Sequence, residues 1–301
     1  MNELEIHSRI VQARELAAAG KMLHAVQHLE SVVREEPTSE AGWWELAHIY
    51  IDQRRFEIAE KAIRRALAHV REKESFDFLL AKLYFASGEK GKAYAALNRL
   101  DKNPNSLSML LRAEVAYFLG VIERDRHRAP SAEMYFARVR SMHPQFPRIN
   151  EHIAELQFER GALTDALTSL KTAIDIDPTS WAAFYLFGLV RLSEGAYDAA
   201  LKDFETAVDL NPDEATLWEK CGEASMMLER VEEAERYLRK ALKMDETSLE
   251  ALVTFSRLLI KKGSISDARA FIDRAVAIAP ADKEVRRLRR ELETIERRNP
   301  R

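Results

Sequence analysis

The chain has 301 residues with only Gly 10 and Pro 9, while 47% are hydrophobic and 32% charged. Turn-forming residues at roughly half their usual share exclude collagen-like, disordered and strand-and-turn-rich classes and make helix the default. Lys+Arg 46 against Asp+Glu 49 gives a net charge of −3 and Cys221 is the single cysteine, so the chain lacks the basic excess of a typical nucleic-acid or anionic-membrane binder and has no internal disulfide.

At the N-terminus, Glu3 and Glu5 stand where a secretory signal carries basic residues, and no apolar stretch follows. The longest nearly unbroken apolar run, Trp181 to Val190, is about half the ~20 residues needed to cross a bilayer. These features predict a cytoplasmic protein without export signal or membrane span.

Alanine recurs at Ala25, Ala59, Ala93, Ala132, Ala166, Ala200, Ala234 and Ala268, with every step but one equal to 34 residues. Ala66, Ala173, Ala207, Ala241 and Ala275 repeat in the same phase, as do Pro37, Pro144, Pro178, Pro212 and Pro280. A fixed period of this length marks a stacked-repeat architecture. Within one period, Trp181 to Glu194 and Asp198 to Leu210 read as two helices split by Gly195 and closed by Asn211-Pro212. Gly20, Gly88, Gly161 and Gly263 share that turn position, where glycine tolerates a positive φ.

In chain order, hairpins are predicted over about 6–39, 40–73, 74–105, 106–146, 147–180, 181–214, 215–248 and 249–282. The fourth is irregular. Its first helix is expected from Leu107 to about Ile122 and its second from near Ser131, leaving Glu123 to Pro130 as a net insertion of five residues that contains the basic run Arg124 to Arg128. Residues 283–301 carry Val285, Leu288, Leu292 and Ile295 at helical spacing and are expected to form a basic amphipathic helix capping the last hairpin, so that the chain reads as a complete array.

Trp43, Leu46, Ala47, Tyr50, Ala59 and Ala66 in the second repeat, and Phe187, Gly188, Ala200, Phe204, Ala207 and Pro212 in the sixth, resemble the tetratricopeptide repeat. Trp218, Gly222, Ala234 and Ala241 carry the same pattern in the seventh. The resemblance implies an all-α, right-handed superhelix of about eight hairpins, working as a non-enzymatic scaffold or adaptor whose concave groove takes a peptide or helical segment of a partner.

The family layout then implies groove positions at Trp44 and His48, Phe78 and Lys82, Glu151 and Glu155, Tyr185 and Leu189, Glu219 and Glu223, and Val253 and Arg257. One turn further it adds Phe85, Tyr117, Phe158, Leu192 and Met226. Such a lining is aromatic with acidic patches and would suit a hydrophobic or amphipathic segment bearing basic residues. Two readings stay open: the aromatics form an exposed strip or pack on the neighbouring repeat, and the carboxylates face a partner or only solvent. Family members that clamp a terminal carboxylate use a Lys-x-x-x-Asn pair in a first helix, and the equivalent positions here, including Ile10 with Arg14, do not supply one.

Residues 283–301 hold eight basic and four acidic residues, net +4, which leaves −7 on the rest. This asymmetry gives an alternative role as a nucleic-acid-associated factor, against the reading of a solvated cap face; self-assembly through the tail is a third. His24 and His28 share a helix face at a metal-compatible spacing without a third ligand. No phosphate-binding glycine loop or G-x-S-x-G motif is present, so neither catalysis nor a cofactor is expected.

Overall fold

The computed structural model describes residues 3–298. The sequence readings at Met1 and Asn2, and at Asn299, Pro300 and Arg301 of the basic tail, fall outside the described residues. Among the described residues there are 17 α-helices and one short 3-10 turn, with no strand. The helices pack as successive pairs, and the chain divides into two compact units, Met1–Phe146 and Pro147–Arg301.

In the first unit α1 (Glu3–Ala18) pairs with α2 (Met22–Glu35), α3 (Glu40–Asp52) with α4 (Phe56–His69), and α5 (Lys73–Ala86) with α6 (Lys90–Asp101). A 3-10 turn at Pro104–Ser106 leads into α7 (Met109–Asp125) and α8 (Ala129–Met142). The second unit pairs α9 (Ile149–Glu159) with α10 (Leu163–Ile176), α11 (Trp181–Ser193) with α12 (Tyr197–Leu210), α13 (Ala215–Met227) with α14 (Val231–Met244), and α15 (Leu249–Lys262) with α16 (Ile265–Ile278). Its last helix, α17 (Lys283–Arg298), packs on α15 and α16.

Both kinds of turn follow from the sequence. Gly20, Gly88, Gly161, Gly195 and Gly263 adopt φ of 75–82° between the helices of a pair. Arg54, His127 and Glu229 occupy the same repeat position at φ of 56–61°, accepting the mild strain of a left-handed non-glycine residue. Between pairs, the side chains of Ser39, Ser108, Ser180 and Ser248 cap the next helix by accepting from a backbone N–H three residues on. The Trp43 and Trp218 indoles donate to the Pro37 and Pro212 carbonyls at 2.8 and 2.9 Å, fastening each first helix to the linker before it.

The eight register alanines, Ala25 through Ala268, are all fully buried in the second helix of each pair. Larger side chains there would drive the two helices apart. First-helix glycines reinforce the crossing: a Cβ on Gly120 would collide with the Phe136 ring, and one on Gly222 with Leu238. Val285, Leu288 and Leu292 of α17 are buried against a cluster that includes Phe255, Leu259 and Ile272, and Ile295 is half-buried. The capping helix therefore closes the second unit with the predicted apolar stripe.

The fourth pair corrects one expectation. The additional residues do not form a loop: they lengthen α7 to Asp125, and α8 begins at Ala129. Nor is the basic run free. Arg126 and Arg128 pair with the buried Glu123 at 3.2 and 3.5 Å, and Arg126 lies 4.3 Å from the Tyr94 ring centre. Asp125 receives Lys90 at 2.5 Å.

One half-buried ion pair makes stability depend on pH. Asp203 of α12 accepts two hydrogen bonds from Arg191 of α11 at 2.7–2.8 Å, yet burial outweighs the guanidinium and lifts its carboxyl from 3.8 to about 6. A raised native value means that the unfolded chain ionises first, so this group favours the folded state most below about pH 4 and that contribution is lost as pH rises to about 6. Asp203→Asn is expected to flatten the stability profile across that window, as measured by urea midpoints at stepped pH; an unchanged profile would exclude Asp203 as its source.

Candidate protein-binding faces

In both units the first helices make the closer mutual approaches, α1 with α3 and α3 with α5, then α9 with α11, α13 with α15 and α15 with α17. Second helices of neighbouring pairs stay further apart, so the first-helix face of each unit is the inner, concave one.

On the first unit that face is an aromatic series. Trp44 stands 5.0 Å from His48 and meets Phe76 edge-on at 5.9 Å. Phe85 and Tyr117 flank Phe118 at 5.1 and 5.5 Å, and Tyr117 continues to Phe146 at 5.1 Å. Lys82 sits 5.8 Å over Phe78. Burial, helped by Lys82, holds the His48 imidazole below its ordinary value against the pull of Asp52 and Glu45. Its Nε2 is buried without a hydrogen-bond partner among the described residues. Burial likewise raises the Glu114 carboxyl, opposed by Lys82. Phe118, Phe146 and Glu114 were not anticipated, although Phe118 directly follows Tyr117 in α7.

The second unit is more polar. Lys220 of α13 reaches Glu223 at 2.7 Å and Glu219 at 3.5 Å, and Thr254 of α15 donates to Glu219 at 3.5 Å. Arg257 pairs with Glu284 at the start of α17. Between these helices lies a cavity of about 280 Å³, where Glu219, Glu223, Glu250, Asp282 and Glu284 face Lys220 and Arg257. Burial raises the Glu219 carboxyl, Lys220 opposing. Burial also works to lower the Lys220 ammonium, but Glu219 and Glu223 outweigh it and hold it above its ordinary value. Tyr185, half-buried on α11 and 6.1 Å from Phe204, has its hydroxyl raised by burial and feels Lys220, Glu219 and Glu223. Leu189, Leu192 and Phe158 are half-buried against the unit's core clusters, and Met226 packs toward the α14–α16 cluster.

Four expected lining residues are not on the open surface. Phe78, 2% exposed, is covered because Phe118 of the next pair packs on it at 5.9 Å. Glu151 is buried, accepting from the Ser180 hydroxyl at 2.9 Å, and thus braces the cap of α11. Glu219 is 3% exposed beneath Lys220 and Thr254, and Val253 is buried beside it. Glu155 remains half-buried and contacts His152 at 3.1 Å. Cys221 is fully buried, and burial first, then Glu205 and Asp209, push its thiol far up, which disfavours the reactive thiolate. Among the described residues no three His, Cys, Asp or Glu side chains converge in a metal-holding group, and no helix is long and apolar enough to cross a membrane.

Tetratricopeptide-repeat profiles match residues 44–106, 111–180 and 185–249, and a second profile of the same description matches 225–292. The chain belongs to the tetratricopeptide repeat family. It is 21% identical over 258 residues to the TPR repeat-containing protein YpiA of Bacillus subtilis (strain 168), covering 85% of this chain and 52% of that protein. It is 22% identical over 291 residues to the BBSome complex member BBS4 of Bos taurus, covering 86% and 55%. The chain thus spans about half the length of the curated relatives it matches. In fold it resembles the APC/C hetero-tetramer Cut9-Hcn1 structure, with TM-score 0.73 at 12% identity over 97% of this chain and 57% of that one. The Pseudomonas aeruginosa pilF structure matches with TM-score 0.61 at 16% identity, covering 72% and 97%. Tetratricopeptide repeats support a protein–protein interaction scaffold, and the family is typically non-enzymatic.

Proposed function

We propose that this tetratricopeptide protein is a cytoplasmic, non-enzymatic adaptor that holds a hydrophobic or amphipathic segment of another protein against its first-helix faces and so brings it into a complex. Its eight hairpins, bounded as in the sequence reading, are the modular units, and residues 283–301 are the cap. The observation that carries this reading is the cavity among α13, α15 and α17, where five carboxylates face two cations beside the half-buried Tyr185. That surplus of negative charge fits basic side chains flanking the apolar part of the bound segment. Two relatives named above are members of multi-subunit complexes, the BBSome and the APC/C, which favours a role in assembly.

The nucleic-acid alternative has less support. In α17, Arg289 pairs with Glu293, Arg287 approaches Glu284, and Arg286 donates to the carbonyls of Ala281 and Asp282. Phosphate binders leave such cations available and respond steeply to salt.

Photo-crosslinking residues placed at Glu223 and at Arg257 are expected to trap the same partner from native lysate, while one at the exposed Lys202 on α12 traps none of it. Equal trapping from all three positions, or trapping from Lys202 alone, would move the site off the inner face. Trapping of a second copy of this chain would select self-assembly instead.

A further inference from the structure

We propose a second docking site on the opposite, second-helix side of the first unit, in the pocket among α2, α3 and α4, for an acidic peptide segment with an apolar anchor residue. The pocket is about 420 Å³, within the range of binding cavities. Trp43 and Tyr50 form its floor, and Ile58, 37% exposed, is an uncovered apolar wall. Arg34 from α2 and Lys61 and Arg65 from α4 line it; all three are exposed, and none has a hydrogen bond or ion pair among the described residues. The opposing carboxylate, Glu30, is already engaged by the Tyr50 hydroxyl at 2.8 Å. Three unpaired cations around an apolar floor thus face a single committed anion.

The repeat supplies an internal comparison. A pocket of about 590 Å³ among α14, α15 and α16 occupies the same position in the repeat, with Lys243 at the Arg34 position and Arg274 at the Arg65 position. There two of the three cations are internally spent: Arg239 pairs with Glu235 at 2.6 Å, and Arg274 donates to the Glu246 carbonyl at 2.7 Å. Ala270 replaces Lys61, and Asp267 replaces Ile58. The fold builds both hollows, but among the described residues the first leaves three cations unpaired beside an uncovered Ile58, whereas the second leaves Lys243 alone unpaired and carries Asp267 where the first has Ile58.

The occupant follows from this chemistry. Carboxylates satisfy Arg34, Lys61 and Arg65 through charge-assisted hydrogen bonds, and an apolar side chain between them covers Ile58. A polyphosphate backbone fits less well. It would use the three cations alone and leave Ile58 uncovered, whereas an apolar anchor residue fills that side of the pocket.

The test uses the full chain and fluorescein-labelled peptides alternating glutamate with leucine, phenylalanine or serine, read by anisotropy. Saturable binding of a leucine or phenylalanine peptide is expected, weakened about tenfold or more by Arg65→Glu, as loss of one charge-assisted contact implies, and unchanged by Arg274→Glu in the equivalent pocket. Arg34→Ala/Lys61→Ala gives a second, milder variant, with helicity checked by circular dichroism. Absence of saturable binding up to millimolar peptide, insensitivity to both pocket variants, or equal binding of the serine peptide overturns the proposal. So does displacement by a single-stranded DNA oligonucleotide whose own binding Arg65→Glu abolishes, which would assign the pocket to nucleic acid.

Discussion

Truncating Phe204 to alanine is expected to destabilise the second unit by about 3–5 kcal/mol, the usual range for a buried phenylalanine. Phe204 is completely buried in α12 and its ring lies against Gly188 of α11, so close that a Cβ added at that glycine would fall within the ring's van der Waals envelope. Gly188→Ala therefore overpacks the crossing and is expected to cost about 1–3 kcal/mol by itself. The two positions share one volume. Gly188→Ala combined with Phe204→Leu, which removes the offending ring edge, is expected to be less destabilised than the sum of the single changes. Because each repeat is supported mainly by its neighbours, hydrogen exchange should accelerate first across α11–α14. Strictly additive effects would show that the glycine is not there to admit the ring.

The repeat skeleton was legible because it rests on local rules with few solutions. An alanine in phase lets two helices cross, a glycine with positive φ turns the chain within most pairs, and a proline closes many of them; each was visible as a residue type at a fixed spacing. The cap was legible for the same reason, since Val285, Leu288 and Leu292 form one apolar stripe. Exposure on the inner face was not, because it depends on what the next repeat places there. Phe78 and Trp44 occupy the same implied groove position, yet Phe118 covers one while the other stays half-buried beside His48. Arg124 to Arg128 read as a free basic run because the sequence does not reveal that α7 continues by another turn, which sets Arg126 and Arg128 against the buried Glu123 and Asp125 against Lys90 of α6. The outer pocket was missed for a related reason: Arg34 and Lys61 are 27 positions apart in sequence and share a rim only after α2, α3 and α4 have packed.

The buried charge of the inner face leads to the other large effect. Lys220→Met is expected to destabilise the second unit by about 3 kcal/mol at neutral pH, because it leaves the almost completely buried Glu219 without its nearest cation. Thr254, at 3.5 Å, offers a single long hydrogen bond in compensation. Burial already raises the native Glu219 carboxyl above its ordinary value of 4.5, and removing the opposing Lys220 raises it further. The unfolded state therefore releases its proton first on the way up in pH, and the penalty is small near pH 4.5 and grows as pH rises through the native value. Glu219→Gln in the Lys220→Met background removes the ionisable group and should recover most of the lost stability at pH 8 while changing little at acid pH. Urea midpoints and hydrogen exchange over α13 and α15 at both pH values decide the matter. A penalty independent of pH would mean that Lys220 acts through the packing of its aliphatic stem against Tyr185 and its neighbours. A pH-dependent penalty relieved by Glu219→Gln would establish that the inner face keeps a buried carboxylate in place only with the help of its lysine, so that a partner presenting a basic group to Glu223 must do so beside a lysine already committed.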